Sequence, residues 1–159
     1  MNNIKKLNFD DLKLLNIFIS QEEQFNNFFN LGWNFQNIEN HFKKENNLSF
    51  GCFYKNILCG ILIGETIPNN NNLDLEIHIM FISSSFRRKN FGSNILNHIQ
   101  TNKNLTNISQ IYLEVAENNL KAIKFYEKNN FVFLKFRHNY YRDYDNGKII
   151  NAKCYTKLI

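Results

Sequence analysis

The sequence is short of cysteine: Cys52, Cys59 and Cys154 are the only three, and none stands in CxxC spacing. An odd, scattered set lying in apolar strand-like runs excludes a disulfide framework and suits reduced, buried thiols in a cytoplasmic protein. No apolar run approaches the length needed to cross a bilayer, and the early acidic pair Asp10 and Asp11 speaks against a transit peptide. The histidines His41, His78, His98 and His138 show no metal-ligand spacing and no serine or cysteine partner of a triad. They read as structural or surface residues, and no metal is expected. Cys59 has nothing near it in sequence that would lower its pKa, so it is a poor nucleophile candidate. Internal repeats and linkers are missing too. Acidic residues are the minority, 14 against 19 Lys and Arg, and the net charge of +5 favours an anionic partner without choosing among cofactor, RNA and ribosome.

Aromatic residues, by contrast, are plentiful. Sixteen Phe and seven Tyr within a 43% apolar composition are enough to offset the ordering entropy of a chain rich in Asn, and 159 residues suit one domain spanning 1–159. The run of four Asn at 69–72 reads as a tolerated loop. Strand signals fall at 4–7, in a hairpin over 48–66 turning at Lys55 and Asn56, and at 73–82, 110–116, 131–137 and 149–157. Helical spacing appears after Asp10, the expected cap, with Leu12, Leu15 and Ile19; it returns with Phe35, Ile38 and Phe42. A third helix carries Phe91, Ile95, Leu96 and Ile99, and a fourth, capped by Asn119, carries Leu120, Ile123 and Tyr126. A polar, tyrosine-rich connection joins the last two strands. The order is strand, two helices, three strands, helix, strand, helix, two strands, a mixed sheet with a strand-helix-strand unit.

Two stretches carry chemistry. The segment FRRKNFGSNIL, residues 86–96, sets positive charge and turn-prone residues where a helix begins, and the unpaired N–H groups of a helix start attract an anion. In mixed sheets of this kind ligands sit beyond the carboxyl ends of strands, which brings this turn near the end of YLEVAENN. Here the chain resembles the GNAT superfamily of N-acetyltransferases, whose acetyl-CoA motif runs Arg or Gln, two residues, Gly, one residue, Gly or Ala. The matching residues are Arg87, Arg88, Lys89, Asn90, Phe91 and Gly92, with Ser93 completing the turn. The stretch from 112 to 141 is similar to the LEV, Asn, Ala, FY, GF, NYY pattern of protein N-terminal acetyltransferases, including the ribosomal-protein-alanine type and the eukaryotic E-type catalytic subunit. Two glycines of the pattern are Asn90 and Asn130 here, and Asn is the residue that best tolerates left-handed angles after Gly.

The resemblance implies an α+β GNAT fold, with a central mixed, largely antiparallel sheet of about seven strands flanked by about four helices. It also implies acetyl-CoA as cosubstrate, no metal, and direct transfer to the α-amine of a protein N-terminus, a ribosomal protein being one such partner. By the same resemblance the backbone of Met80 and Ile82 and the side chain of Asn119 would hold the pantetheine arm. Tyr126 would serve the departing thiolate, Glu114 would accept the amine's proton, and Trp33, Tyr140 and Tyr141 would line the peptide groove. An α-amine near pKa 8 is about 2.5 units, or about 3.4 kcal/mol, easier to neutralise at pH 7 than lysine. A carboxylate is a weak base for it, so Glu114 would act with a raised pKa or through an ordered water.

Each of these residues has a plainer reading. Glu114 fits a strand margin, Tyr126 and Trp33 fit core packing, the basic triplet fits a solvated face, and Tyr140 and Tyr141 fit an ordinary connection. Two rival functions follow: a GNAT enzyme acting on lysine or small amines, and a non-catalytic basic ribosome- or RNA-binding module. The second draws first on Asn90 standing where the motif has glycine; aromatic and basic residues also interleave over 136–144, without a known RNA-binding signature.

Overall fold

Left-handed asparagines set the turns of the sheet. In the computed structural model, which describes residues 2–143 and 146–159, Lys55 and Asn56 have φ of 48° and 65°. Two consecutive positive φ values are what a two-residue hairpin needs to match strand twist. They join β2 (Ser49–Tyr54) to β3 (Ile57–Asn69). The asparagine run, expected as a loop, is instead a second tight turn: Asn69 pairs with Asn72, Asn70 has φ 51°, and β4 (Asn72–Ile82) follows at once. The remaining strands are β1 (Asn2–Leu7), β5 (Ile108–Ala116), β6 (Val132–Arg142) and β7 (Ile149–Leu158). Their order across the seven-stranded sheet is β1-β2-β3-β4-β5-β7-β6, antiparallel throughout except where β4 meets β5. Mixed α/β architecture with a largely antiparallel sheet is thus observed as expected.

Among the described residues five α-helices flank the sheet, one more than expected: α1 (Leu12–Ser20), α2 (Asn26–Asn30), α3 (Phe35–Phe42), α4 (Phe91–Thr101) and α5 (Leu120–Lys128). The extra one, α2, is five residues long and too short to show a period. It is held by Phe25, fully buried, whose ring meets those of Phe28, Phe29 and Phe81 at 5.0, 5.5 and 5.3 Å. On one face of the sheet α4 and α5 cover Leu62, Leu75, Ile77, Leu113 and Val115; on the other, α1 and α3 cover Ile61, Ile63, Ile79 and Phe81. Leu120 does not share the buried face of α5, being 63% exposed, while Ile123 and Tyr126 do. Phe35 is likewise exposed, and His41 takes its place beside Ile38 and Phe42 in the buried stripe of α3. All three cysteines are free and buried. Tyr144, the end of the interleaved aromatic and basic stretch, lies outside the described residues.

Asp10 is not the cap: the cap is Asn8, two residues earlier, and it closes the 3-10 turn Phe9–Asp11 that leads into α1. Asn8 Oδ1 accepts from the Asp10 N–H and Asp11 Oδ2 accepts from the Asn8 N–H, each at 3.0 Å, a reciprocal capping box. Burial works to raise the Asp11 carboxyl, but the 2.7 Å bond from Lys5 and the Asn8 N–H overcome it and hold it below the usual value. A depressed folded-state pKa contributes stability above the unfolded pKa, and that contribution is lost as pH falls through the folded value. Asp11→Ala is therefore expected to cost about 1 kcal/mol at pH 7. Its gap from wild type, measured by urea melts, should close on acidification toward pH 3.

Candidate active site

β4 and β5 pair only as far as Ile77 and Leu113. The cause lies on the far edge of β4, where Ile63 opposes Ile79 but Gly64 opposes Ile77, so His78 is an extra, bulged residue. The bulge changes which face successive side chains take: Leu75 and Ile77 point to the α4 and α5 side, then Ile79 and Phe81 to the α1 and α3 side. It also bends β4 away from β5, leaving an opening bounded by residues 78–82 and 114–116. Met80 and Ile82 border this opening, packed beside the core under α4 and α5.

The basic turn closes one end of the opening. Arg88 and Asn90 are left-handed, φ 57° and 62°, and Asn90 stands immediately before α4 without capping it by its side chain. The N–H groups of Phe91, Gly92 and Ser93 have no acceptor within the helix and face outward at its positive end. Asn130 is also left-handed, φ 64°, so both positions where Asn replaces the pattern's Gly adopt the angle Gly would supply. Gly92 is closely packed: a Cβ there would stand 3.0 Å from the Phe125 ring and 3.4 Å from Met80. The three basic residues divide. Arg87 turns back, its Nε donating to the Ile82 carbonyl at 2.8 Å and its head bonding Gln24 and lying over Phe81. Lys89 donates to the Ser85 carbonyl at 2.9 Å, and Arg88 is exposed with no side-chain partner among the described residues.

Tyr126 projects from α5 into the core under α4 and α5. It is 8% exposed, packed against Phe125 and Phe131 with ring centroids 5.2 and 5.4 Å away, and burial pushes its hydroxyl well above the usual tyrosine value. That hydroxyl makes no hydrogen bond among the described residues, yet no described side-chain polar atom is both buried and unsatisfied, so it keeps some contact with solvent. Asn119 caps α5, its Oδ1 accepting from the Ala122 N–H at 3.2 Å.

Glu114 comes from β5 with alternation opposite to Leu113 and Val115, toward the α1 and α3 side. Its Oε1 accepts from Arg137 at 2.5 Å, and the Arg137 guanidinium stacks on Tyr140 at 3.8 Å. The Cys154 thiol, opposite Glu114 in register, lies 3.8 Å from the same oxygen; burial and the carboxylate both push it up, keeping it a thiol. Tyr140 and Tyr141 are not in a connection: they belong to β6, where Asn139 at φ 52° and a register break between Arg137 and Tyr141 re-aim the strand. Burial, then Glu114, Tyr140 and Tyr126, raise the Tyr141 hydroxyl, so this ring lies within electrostatic reach of both Glu114 and Tyr126. Arg137 is the member of this group that sequence reading missed; it is 23 residues from Glu114, and only the pairing of β6 and β5 through β7 brings them together.

Trp33 lies elsewhere on the same side, at a pocket of about 370 Å³ that also includes Asn37, Asn40, His41, Glu65 and His78. Its ring is 5.9 Å from that of His78. His41, at 3% exposure, is hydrogen-bonded to the Gly64 carbonyl at 3.0 Å, and burial pushes it below the usual histidine value. Burial works to raise Glu65, but Lys44 at 2.6 Å and His78 at 3.4 Å overcome it and hold the carboxyl low. Among the described residues no helix is long and apolar enough to cross a membrane.

Comparison with known proteins gives a consistent picture. The model of the acetyltransferase (GNAT) family matches residues 14–131. The ribosomal-protein-S18-alanine N-acetyltransferase of Escherichia coli superposes with a TM-score of 0.79 at 20% identity, covering 100% of this chain and 94% of that one. Arabidopsis thaliana NAA60, solved with a bisubstrate analogue, gives 0.79 at 14% identity, covering 100% and 98%. Arabidopsis thaliana Naa50, solved with the bisubstrate analogue CoA-Ac-MVNAL, gives 0.70 at 19% identity, covering 99% of each chain. At these identities the likeness is one of fold. No curated protein matches the sequence.

Proposed function

Because the chain belongs to the GNAT acetyltransferase family, we propose that this acetyltransferase uses acetyl-CoA to acetylate the free α-amino group of a protein or peptide N-terminus in the cytoplasm, as one domain and by direct transfer. The observation that supports the reading is the end of β4–β5 pairing at Ile77 and Leu113, beside which Glu114, Arg137 and Tyr140 are gathered and Tyr141 lies within electrostatic reach of both Glu114 and Tyr126.

The residues present fit the cosubstrate. The outward N–H groups of Phe91, Gly92 and Ser93 after left-handed Asn90 would hold its pyrophosphate, with Arg88 and Lys89 adding charge and Arg87 fastening the turn to Ile82 and Gln24. The edge of β4 at Met80 and Ile82, which has no strand partner beyond Ile77 on the β5 side, would with Asn119 receive the extended arm as an added strand, sharing the Ile82 carbonyl with Arg87. When bound, acetyl-CoA supplies the activated acetyl thioester. Glu114 then takes the proton of the incoming amine, directly or through a water, exchanging part of its bond to Arg137 for it. Tyr126 donates a hydrogen bond to the departing sulfur. Tyr140 and Tyr141, beside Glu114, would orient the peptide, with Trp33 walling a separate pocket on the same side rather than joining them, and the sheet would supply the positioning on which direct transfer depends.

Asn90 gives a direct check of the turn. Asn90→Gly keeps the left-handed angle and removes a side chain beside the phosphate, so it is expected to bind acetyl-CoA more tightly with little change in stability. Asn90→Ala, forced into the same angle, should cost about 1 kcal/mol and weaken binding. Calorimetric titration and thermal melts read both.

The function itself is tested with short peptides varied at their first residues and incubated with labelled acetyl-CoA, some bearing a free α-amine and others an acetyl-blocked N-terminus and an internal lysine. The ribosomal-protein-alanine type predicts preference for an Ala-initiated peptide with a free amine. Labelling of the blocked lysine peptides alone would overturn the N-terminal assignment while leaving the acetyltransferase intact.

A further inference from the structure

His41, Glu65 and His78 span 38 residues of sequence on three elements, yet one ligand atom from each lies within 4.8 Å of the others. Two features of the fold cause this. The bulge at His78 adds a residue to β4 on the α1 and α3 side, next to Ile79, which faces the same way. Glu65 on β3 alternates with Ile61 and Ile63 toward that side as well, and α3 lays His41 over both. The catalytic reading above uses none of the three.

We propose that His41, Glu65 and His78 form a binding site for one borderline divalent transition-metal ion, of which Zn²⁺ is the prime case. Two imidazoles and one carboxylate are the donor set of zinc sites that keep a fourth position open. Hard oxygen-seeking cations such as Mg²⁺ and Ca²⁺ are disfavoured by the two nitrogens. One of the three spacings already suits the ion: ligand atoms about 2.0 to 2.1 Å from a tetrahedral zinc stand about 3.4 Å from one another, and His78 Nε2 is 3.4 Å from Glu65 Oε1; His41, within 4.8 Å of both, closes on the ion by a small side-chain shift.

The outer contacts also have the form that orients metal ligands. His41 Nε2 donates its hydrogen to the Gly64 carbonyl, which leaves the ring's lone pair on Nδ1. Glu65 Oε2 is held by Lys44, which leaves Oε1 on the side of His78, as a monodentate ligand requires. Lys44 is about half exposed and can keep Oε2 or swing into water when the ion arrives. The fourth position opens into the 370 Å³ pocket beside Trp33, where water or a polar substrate group can complete the shell.

Metal-stripped full-length protein is titrated with ZnCl₂ by calorimetry, and its thermal midpoint is followed with and without the metal. One ion is expected per chain, with a rise in midpoint. His78→Gln and Glu65→Gln should each weaken binding by at least about tenfold and abolish the rise, whereas His138→Gln on β6 should leave both unchanged. Because His41 is buried and its replacement can unfold the chain, half-buried His78 and Glu65 are the informative positions. Cobalt(II) separates this site from the three cysteines: d–d bands of a tetrahedral nitrogen and oxygen shell are expected. Thiolate-to-cobalt charge transfer, absence of binding, or equal affinity in both variants overturns the proposal and leaves an ordinary ion-pair network around Lys44, Glu65 and His78.

Discussion

Tyr126→Phe is expected to lower turnover by about 10²- to 10³-fold, the loss typical of removing one preorganised donor to a developing anion, without weakening the fold. The ring stays in place, because its contacts with Phe125 and Phe131 need no oxygen. Removing the hydroxyl breaks no hydrogen bond within the described residues, so no buried partner is orphaned. Its chemical role follows from pKa order. Burial raises the phenol above its usual value, so it carries its proton through the whole assay range. A thiol ionises near 8.5, so complete proton transfer from this phenol to a thiolate runs uphill. A short hydrogen bond to sulfur, strengthened by the low dielectric around Tyr126, is the form of help available. Undiminished turnover in Tyr126→Phe, paired with a large loss in Tyr141→Phe, would transfer the role to Tyr141, a phenol within electrostatic reach of both Glu114 and Tyr126.

The parts of the fold that were legible are those written in local chemistry. The stripe of Phe91, Ile95, Leu96 and Ile99 needs only helical spacing, and it is buried as read. Lys55-Asn56, Asn90 and Asn130 each take the left-handed angle that their neighbours in sequence require. Asn119 caps α5 because an amide oxygen before a helix has donors in easy reach. Long-range events were hidden. Nothing local announces that His78 is the extra residue opposite Ile63 and Gly64, yet that slip both opens the sheet and places His78 against Glu65. The commitment of Arg87 to Ile82 and Gln24, rather than to a ligand, depends on a segment 63 residues away. β6 misled for a different reason: as the edge strand it is exposed along nearly its whole length, so its hydrophobic residues follow no alternation and its end looked like a connection.

Glu114→Gln is expected to reduce kcat by about 10²-fold at pH 7, the lower end of what a positioned base contributes, with a smaller effect on peptide KM. Glutamine preserves the size of the side chain beside Cys154, but it cannot take the amine's proton. The defect should shrink as pH rises through about 8, because above that value an α-amine is already neutral without help. Stability should change by less than about 1 kcal/mol, since the lost ion pair joins a carboxylate to an Arg137 side chain that is 47% exposed. A plain structural role for Glu114, as the anchor that holds Arg137 over Tyr140, makes a different forecast. In that case Arg137→Met, which leaves the carboxylate intact and removes the group it anchors, would reproduce the loss at every pH. If the carboxylate is the base, Arg137→Met keeps most of the activity, because it frees Glu114 from the cation that competes with the incoming amine. The two variants measured together, from pH 6 to pH 9, therefore separate proton transfer from scaffolding at this one position.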